Sequence, residues 1–168
     1  SLRENEREAK DCMGFVFDES PFDEGISPML MGQMYGPYYS KWDQKKYEEL
    51  LDRFEIPKKR TIRKLSKGMK MKFQLAFALS HGATFLIMDE PAASLDPIFR
   101  EEFMEVLSEV LEEESCGILL SSQLVSELEA KADYTLMLHQ GEQMFYDSTE
   151  AILDYYRLVR GRYELFTY

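Results

Sequence analysis

The stretch FLIMDEPAASLDP, Phe85 to Pro97, is the key to the fold. Four apolar residues run into the carboxylates of Asp89 and Glu90, then a proline, two alanines and a third carboxylate at Asp96. With Ala83 and Thr84 in front, the apolar residues do not alternate with polar ones. That pattern reads as a strand buried on both faces, as in a parallel sheet. Asp96 can cap a following helix, with Pro97 at its first position. Phe99, Phe103, Val106, Leu107, Val110 and Leu111 give that helix a core stripe.

Working outward, GILLS (Gly117–Ser121) is a second buried strand and SSQLVSELEAK (Ser121–Lys131) a helix. YTLMLHQGEQMFYD (Tyr134–Asp147) reads as a hairpin turning at Gln140-Gly141. Upstream, a helix runs from about Ser66 to Ser80 and stops at Gly82. DQKKYEELLDRFEI opens at Asp43 and places Tyr47, Leu50, Leu51 and Phe54 on one helical face. MGFVF (Met13–Phe17) is another short buried strand, followed by an acidic, Pro- and Gly-punctuated region to Pro37. Strands and helices alternating at this spacing give an α/β domain with a mostly parallel sheet. There is no internal repeat and no low-complexity segment.

A chain of 168 residues, 45% of them hydrophobic, can bury a real core. Asp and Glu number 31 against 20 Lys and Arg, a formal charge of −11. That balance argues against a surface built to neutralise nucleic-acid phosphates. The basic run PKKRTIRK (Pro57–Lys64) reads as a solvated segment. Two cysteines, Cys12 and Cys116, make no disulfide framework, which points to a reducing, intracellular setting. No apolar run approaches the roughly 20 residues of a membrane-spanning helix. The polar start SLRENEREAKD is no signal peptide, and its first residue is serine rather than methionine, which fits a cut or processed end. His81 and His139 have no metal-ligand spacing to any partner.

Parallel sheets bind ligands beyond the carboxyl ends of their strands, where Asp89 and Glu90 sit. Two adjacent residues leaving a strand point differently, so one can reach a metal while the other reaches a water. That suits phosphoryl chemistry, in which Mg²⁺ is held and an attacking water oriented. It equally fits an acidic turn after a core strand. LSKGMKMK (Leu65–Lys72) puts a serine, a glycine and lysines at a helix N-terminus, where backbone N–H groups favour an anion. An ordinary capped amphipathic helix has the same look, with Ser66 as the cap and Leu75, Ala76 and Leu79 as core residues.

The order of these stretches is more specific than any one of them. LSKGM, then FLIMDEP, then SLDP, then ILLSSQ resembles the ATP-binding domain of ABC transporters, closest to bacterial exporter-type ATPases, over about Met13 to Asp147. Leu65–Met69 resembles the signature motif, usually LSGGQ, with Lys67 and Met69 departing from it. Phe85–Asp89 matches Walker B, Glu90 the catalytic glutamate, and Ser94–Asp96 the D-loop. The resemblance implies a P-loop NTPase-like α/β fold: a mostly parallel sheet, flanking helices and a helical subdomain at about 19–80. The Walker B, D-loop and switch region would occupy 83–147, and a C-terminal helical tail 148–168. It implies that Asp89 holds Mg²⁺ through water and Glu90 polarises the attacking water. Ser66 and Gly68 would contact the γ-phosphate of ATP on the opposite subunit, and Asp96 would help couple the two sites. Asp18, Lys67, Met69 and Ser94 would complete the nucleotide-binding positions, and Gln123 would be catalytic with Glu90. The implied cofactors are ATP and Mg²⁺. The implied partners are a transmembrane permease subunit and a second ATPase subunit, as homo- or heterodimer, with no nucleic acid. The setting would be cytoplasmic, peripheral on the inner face of the cell membrane.

The resemblance breaks at three places. The Q-loop glutamine would fall near Asp18, so a neutral amide has become a carboxylate. The switch histidine is Gln123, which can hydrogen-bond a phosphate but cannot carry a positive charge, so slower hydrolysis is expected. No G-x-x-x-x-G-K-[ST] occurs, and no glycine is followed by lysine. In the family that loop lies well upstream of the Q-loop, but only 17 residues precede Asp18. The chain therefore looks like the C-terminal portion of an ABC ATPase, without the phosphate loop and inactive alone. Its missing segment is expected to supply a strand beside FLIMDE, leaving Phe85 and Ile87 open to pairing and the chain prone to self-association.

Phe22, Met29, Met31, Met34, Tyr35, Tyr38, Tyr39 and Trp42 form either the helical subdomain's own core or a soft surface for the permease, or both. Glu112 to Glu114 reads as a solvated helix end. Two rival functions remain: an ABC ATPase of translation or DNA repair, and a degenerate ABC domain that only regulates a partner. Repair relatives carry long coiled-coil insertions and translation relatives usually twin domains, neither present here. Asp18 and Gln123 favour the regulatory rival, and intact Asp89 and Glu90 oppose it.

Overall fold

FLIMD folds as the middle strand of three, and the computed structural model fixes its neighbours on both sides. The structure describes residues 6–91, 93, 95–114, 116–123 and 131–155, in two compact units, Ser1–Gln123 and Leu124–Tyr168. In the first unit, α1 (Glu6–Asp11) leads into β1 (Met13–Phe17). Then come α2 (Pro28–Tyr35), a 3-10 turn, α3 (Gln44–Arg53), a second 3-10 turn and α4 (Lys67–Ser80). The unit closes with β2 (Phe85–Asp89), α5 (Pro97–Glu114) and β3 (Gly117–Ser121).

The sheet order is β1-β2-β3, all parallel, with Phe15, Ile87 and Leu119 in one row and Phe17, Asp89 and Ser121 in the last. This corrects one expectation. A strand has two hydrogen-bonding edges, and β1 and β3 occupy both edges of β2, so Phe85 and Ile87 are not open to pairing. A further strand could join only outside β1 or β3. Burial on both faces is also corrected. Leu86 and Met88 are fully buried, whereas Phe85 is exposed and Ile87 half-buried. Helices cover one face of the sheet, and among the described residues of this unit Phe15 and Leu119 stay exposed on the other.

The caps form as their sequences dictate. Asp43 Oδ1 accepts from Lys46 N–H, Ser66 Oγ from Met69 N–H, and Asp96 Oδ1 from Ile98 and Phe99 N–H. Each such cap contributes about 1 kcal/mol to its helix. α4 is apolar nearly all round, and Met71, Phe73, Leu75, Ala76, Phe77, Ala78 and Leu79 are buried. A helix of that kind belongs at the centre of a layer. It lies on β1 so closely that a Cβ at Gly14 would fall 2.6 Å from the Cβ of Ala78, which leaves room only for glycine. α3 contributes Tyr47, Leu50 and Leu51, with Phe54 just beyond it, as expected. On α5 the core stripe is Phe103, Met104, Leu107 and Val110, with Val106 partly buried. Phe99 and Leu111, expected in that stripe, are exposed because they sit toward the helix ends, beyond the layer that α5 covers.

Within the second unit, β4 (Tyr134–His139) and β5 (Glu142–Ser148) pair antiparallel, and α6 (Thr149–Tyr155) follows. Gln140 and Gly141 both have positive φ, 50° and 82°, as a tight hairpin turn requires. The expected helix from Ser121 to Lys131 falls mainly on residues outside those described, as does all of the tail after Tyr155.

Candidate functional site

The carboxyl ends of the three parallel strands bring the acidic residues together with a serine. Asp89 and Ser121 are register partners, and the Ser121 hydroxyl donates to Asp89 Oδ1 at 2.7 Å. Ser121 Oγ in turn accepts the backbone N–H of Glu90 at 2.9 Å. Glu90 has φ of 46°, a left-handed conformation rare for a residue with a side chain, so the turn out of β2 is held rather than relaxed. Beyond β3, the backbone N–H of Gln123 donates to Glu90 Oε2 at 3.4 Å. A line of polar contacts thus runs Asp89–Ser121–Glu90–Gln123.

A second group lies at the start of α4. Ser66 Oγ accepts from Met69 N–H at 3.2 Å, and its own O–H remains a donor. Gly68 lies against Leu95 and Phe99, yet an added Cβ would stand 3.8 Å or more from either. Packing does not demand glycine here. Met69 is half-buried against the core. Asp96 caps α5, and the Leu95 carbonyl accepts from Arg100 Nη2 at 3.0 Å. Ser94 lies outside the described residues.

Asp18 leaves the end of β1 and is bonded to the second group. It follows Phe17, the register partner of Asp89, and its Oδ2 accepts from Lys67 Nζ at 2.7 Å. Phe17 is itself fixed by Gln74, buried on α4, which donates to Phe17 O at 2.9 Å and accepts from Phe17 N–H at 3.1 Å.

Ser121 and Gln74 were not singled out by the sequence reading. Ser121 carried a faint signal, a hydroxyl ending an apolar strand. Gln74 carried one too, a polar residue inside an apolar helix stripe. His81 is buried and structural, stacked on Tyr39 at 4.2 Å, with burial holding its pKa below the ordinary value despite Asp11 nearby. His139 is exposed.

Among the described residues, no cluster of three or more His, Cys, Asp or Glu is placed to hold a metal ion. Also among the described residues, no helix is long and apolar enough to cross a membrane.

The family model for ABC transporters matches residues 2–93, more than half of the chain. The chain belongs to the ABC transporter family. It is 36% identical over 84 residues to the bacitracin transport ATP-binding protein BcrA of Bacillus licheniformis, covering 50% of this chain and 28% of that protein. It is 30% identical over 149 residues to the phosphonates import ATP-binding protein PhnC 2 of Trichodesmium erythraeum, covering 83% and 57% respectively. In each case the matched stretch spans well under two thirds of the relative's length. The fold is similar to the dimeric post-hydrolysis state of an ATP-binding cassette bound to ADP and Pi, with a TM-score of 0.72 and 18% identity over 89% of this chain and 68% of that one. The α/β architecture expected from the sequence is therefore that of ABC ATPase domains.

Proposed function

We propose that residues 1–168 carry the Walker B and signature portion of an ABC transporter's ATP-hydrolysing subunit. The observation that carries this reading is the contact line Asp89–Ser121–Glu90–Gln123 at the parallel strand ends. Asp89 would hold Mg²⁺ through water, and Glu90 would orient and polarise the attacking water. Bound Mg²⁺ would neutralise charge on the phosphate oxygens. The Ser66 hydroxyl and the backbone at Gly68 would meet the γ-phosphate of ATP held by a second ATPase subunit. Gln123 would contact the γ-phosphate of the ATP at this subunit's own strand ends, beside Glu90, and Asp96 would help couple the two sites. Residues 1–168 contain no phosphate loop, so that cradle has to come from outside them.

A permease would dock on the exposed Met34, Tyr35 and Tyr38, while Met31 and Trp42 serve the subdomain's own packing. The subunit would then sit on the cytoplasmic face of the membrane. We propose export as the direction, as the resemblance of the motifs LSKGM, FLIMDEP and SLDP to exporter-type ATPases implies.

The test measures ATP turnover in the ATPase completed with its phosphate loop, wild type against Glu90→Gln. Turnover abolished with ATP binding retained supports the reading. Binding without turnover in the wild type supports the regulatory rival instead. Titrating residues 1–168 alone with Mg²⁺-ATP checks the need for the loop, and clear binding would count against it.

A further inference from the structure

Two positions at which the sequence leaves the family's usual pattern are charged, and the structure brings them together. Asp18 stands where the resemblance calls for an amide, and Lys67 where it calls for glycine. They are 49 residues apart, yet Lys67 Nζ and Asp18 Oδ2 are 2.7 Å apart. We infer that Asp18 and Lys67 form a compensating positioning pair, each departure tolerated because of the other. This rests on the function proposed above.

Both ends of the pair are anchored. Gln74 holds the backbone of Phe17 from α4 through two hydrogen bonds, which fixes where Asp18 leaves β1. The Ser66 cap fixes the first turn of α4, where Lys67 begins. The two side chains are about two-fifths and one-third exposed, so the bond adds little to stability. Its consequence lies in where charge is placed. Without Lys67, Asp18 would lose the ammonium beside it and the end of β1 would become more negative, which opposes phosphate. Without Asp18, the Lys67 ammonium would be released at the helix start and would hold phosphate equally before and after the reaction. Such uniform binding lowers KM without helping the chemical step. Paired, the ammonium neutralises Asp18 and is itself restrained.

The experiment compares four forms of the ATPase completed with its phosphate loop: wild type, D18Q, K67G and D18Q/K67G. Lys67→Gly restores the family's usual residue, yet it is expected to raise KM for Mg²⁺-ATP about fivefold or more, the scale of coupling between contacting residues. Asp18→Gln is expected to lower KM and kcat together, and the double variant to recover most of both losses. Lys67→Arg keeps the ion pair and should stay near wild type; it also covers the case in which K67G fails to fold, which equal melting temperatures would exclude. Additive effects, or an improved K67G, overturn the pair while leaving the proposed function intact, provided Glu90→Gln still abolishes turnover. A wild type without turnover removes the proposed function and this inference with it.

Discussion

Around Phe77 the rings of Phe22, Tyr39, Trp42, Tyr47 and His81 stand at centroid distances of 5.1 to 6.2 Å, while around Ser121 the contacts are hydrogen bonds between polar groups. The first region excludes water, and even its polar atoms are satisfied inside it: the Tyr47 hydroxyl donates to Pro28 O at 2.7 Å. The second stays exposed at Asp89 and Ser121 and holds its geometry by directed bonds and one strained backbone position at Glu90. Packing is non-directional and scales with area, so it stabilises without aiming anything. Hydrogen bonds in the open contribute little net stability but fix direction. The ring cluster therefore carries stability, and the strand ends carry orientation.

The sharpest break of this contrast is Glu90→Gln. In the completed ATPase it is expected to lower turnover roughly a hundred- to ten-thousandfold, the range for a positioned general base. Its melting temperature should match wild type, and a large drop would mean that the strand ends also carry the fold. The converse change, Leu86→Ala beneath the covered face of the sheet, is expected to cost about 3 kcal/mol in chemical denaturation. Ser121→Ala tests whether direction alone matters. It should reduce turnover about fivefold, the worth of roughly 1 kcal/mol from one hydrogen bond, with no change in unfolding midpoint.

His81 brings titration into the packed region. Burial depresses its folded pKa, so the folded state binds fewer protons than the unfolded chain. The stability linked to it is fully present above the ordinary value near 6.5 and is lost as pH falls through the depressed folded value. Melting temperature should therefore decline as pH falls from about 6.5 toward that folded value, and His81→Phe should flatten the decline. The smallest effect is expected on the uncovered sheet face. Leu119→Lys should change stability by less than about 0.5 kcal/mol, while light scattering shows reduced self-association of residues 1–168. A large destabilisation there would mean that this face is already covered.

Much of the fold was legible because its signals are local. MGFVF and GILLS form strands over the expected residues, Asp43, Ser66 and Asp96 cap the expected helices, and Gln140-Gly141 turns the hairpin. Asp89 and Glu90 were legible as a candidate site because acids ending an apolar strand are unusual. The residues that orient them were not. Ser121 matters only because the register puts it beside Asp89, 32 residues away in sequence. Gln74 matters only because α4 packs on β1, and within the helix stripe it looked like any polar interruption.

By itself the sequence determined which segments become strands and helices, where the helices begin, and which side chains could do phosphate chemistry. Periodicity, capping and chain reversal all act within a few residues, so their signals survive without a partner. Only the tertiary structure decided that β2 lies between β1 and β3, that one face of the sheet is covered, and that Asp18 meets Lys67. Those outcomes depend on strand register and helix packing across tens of residues. No local pattern encodes them, because each is set by which surfaces exclude water together.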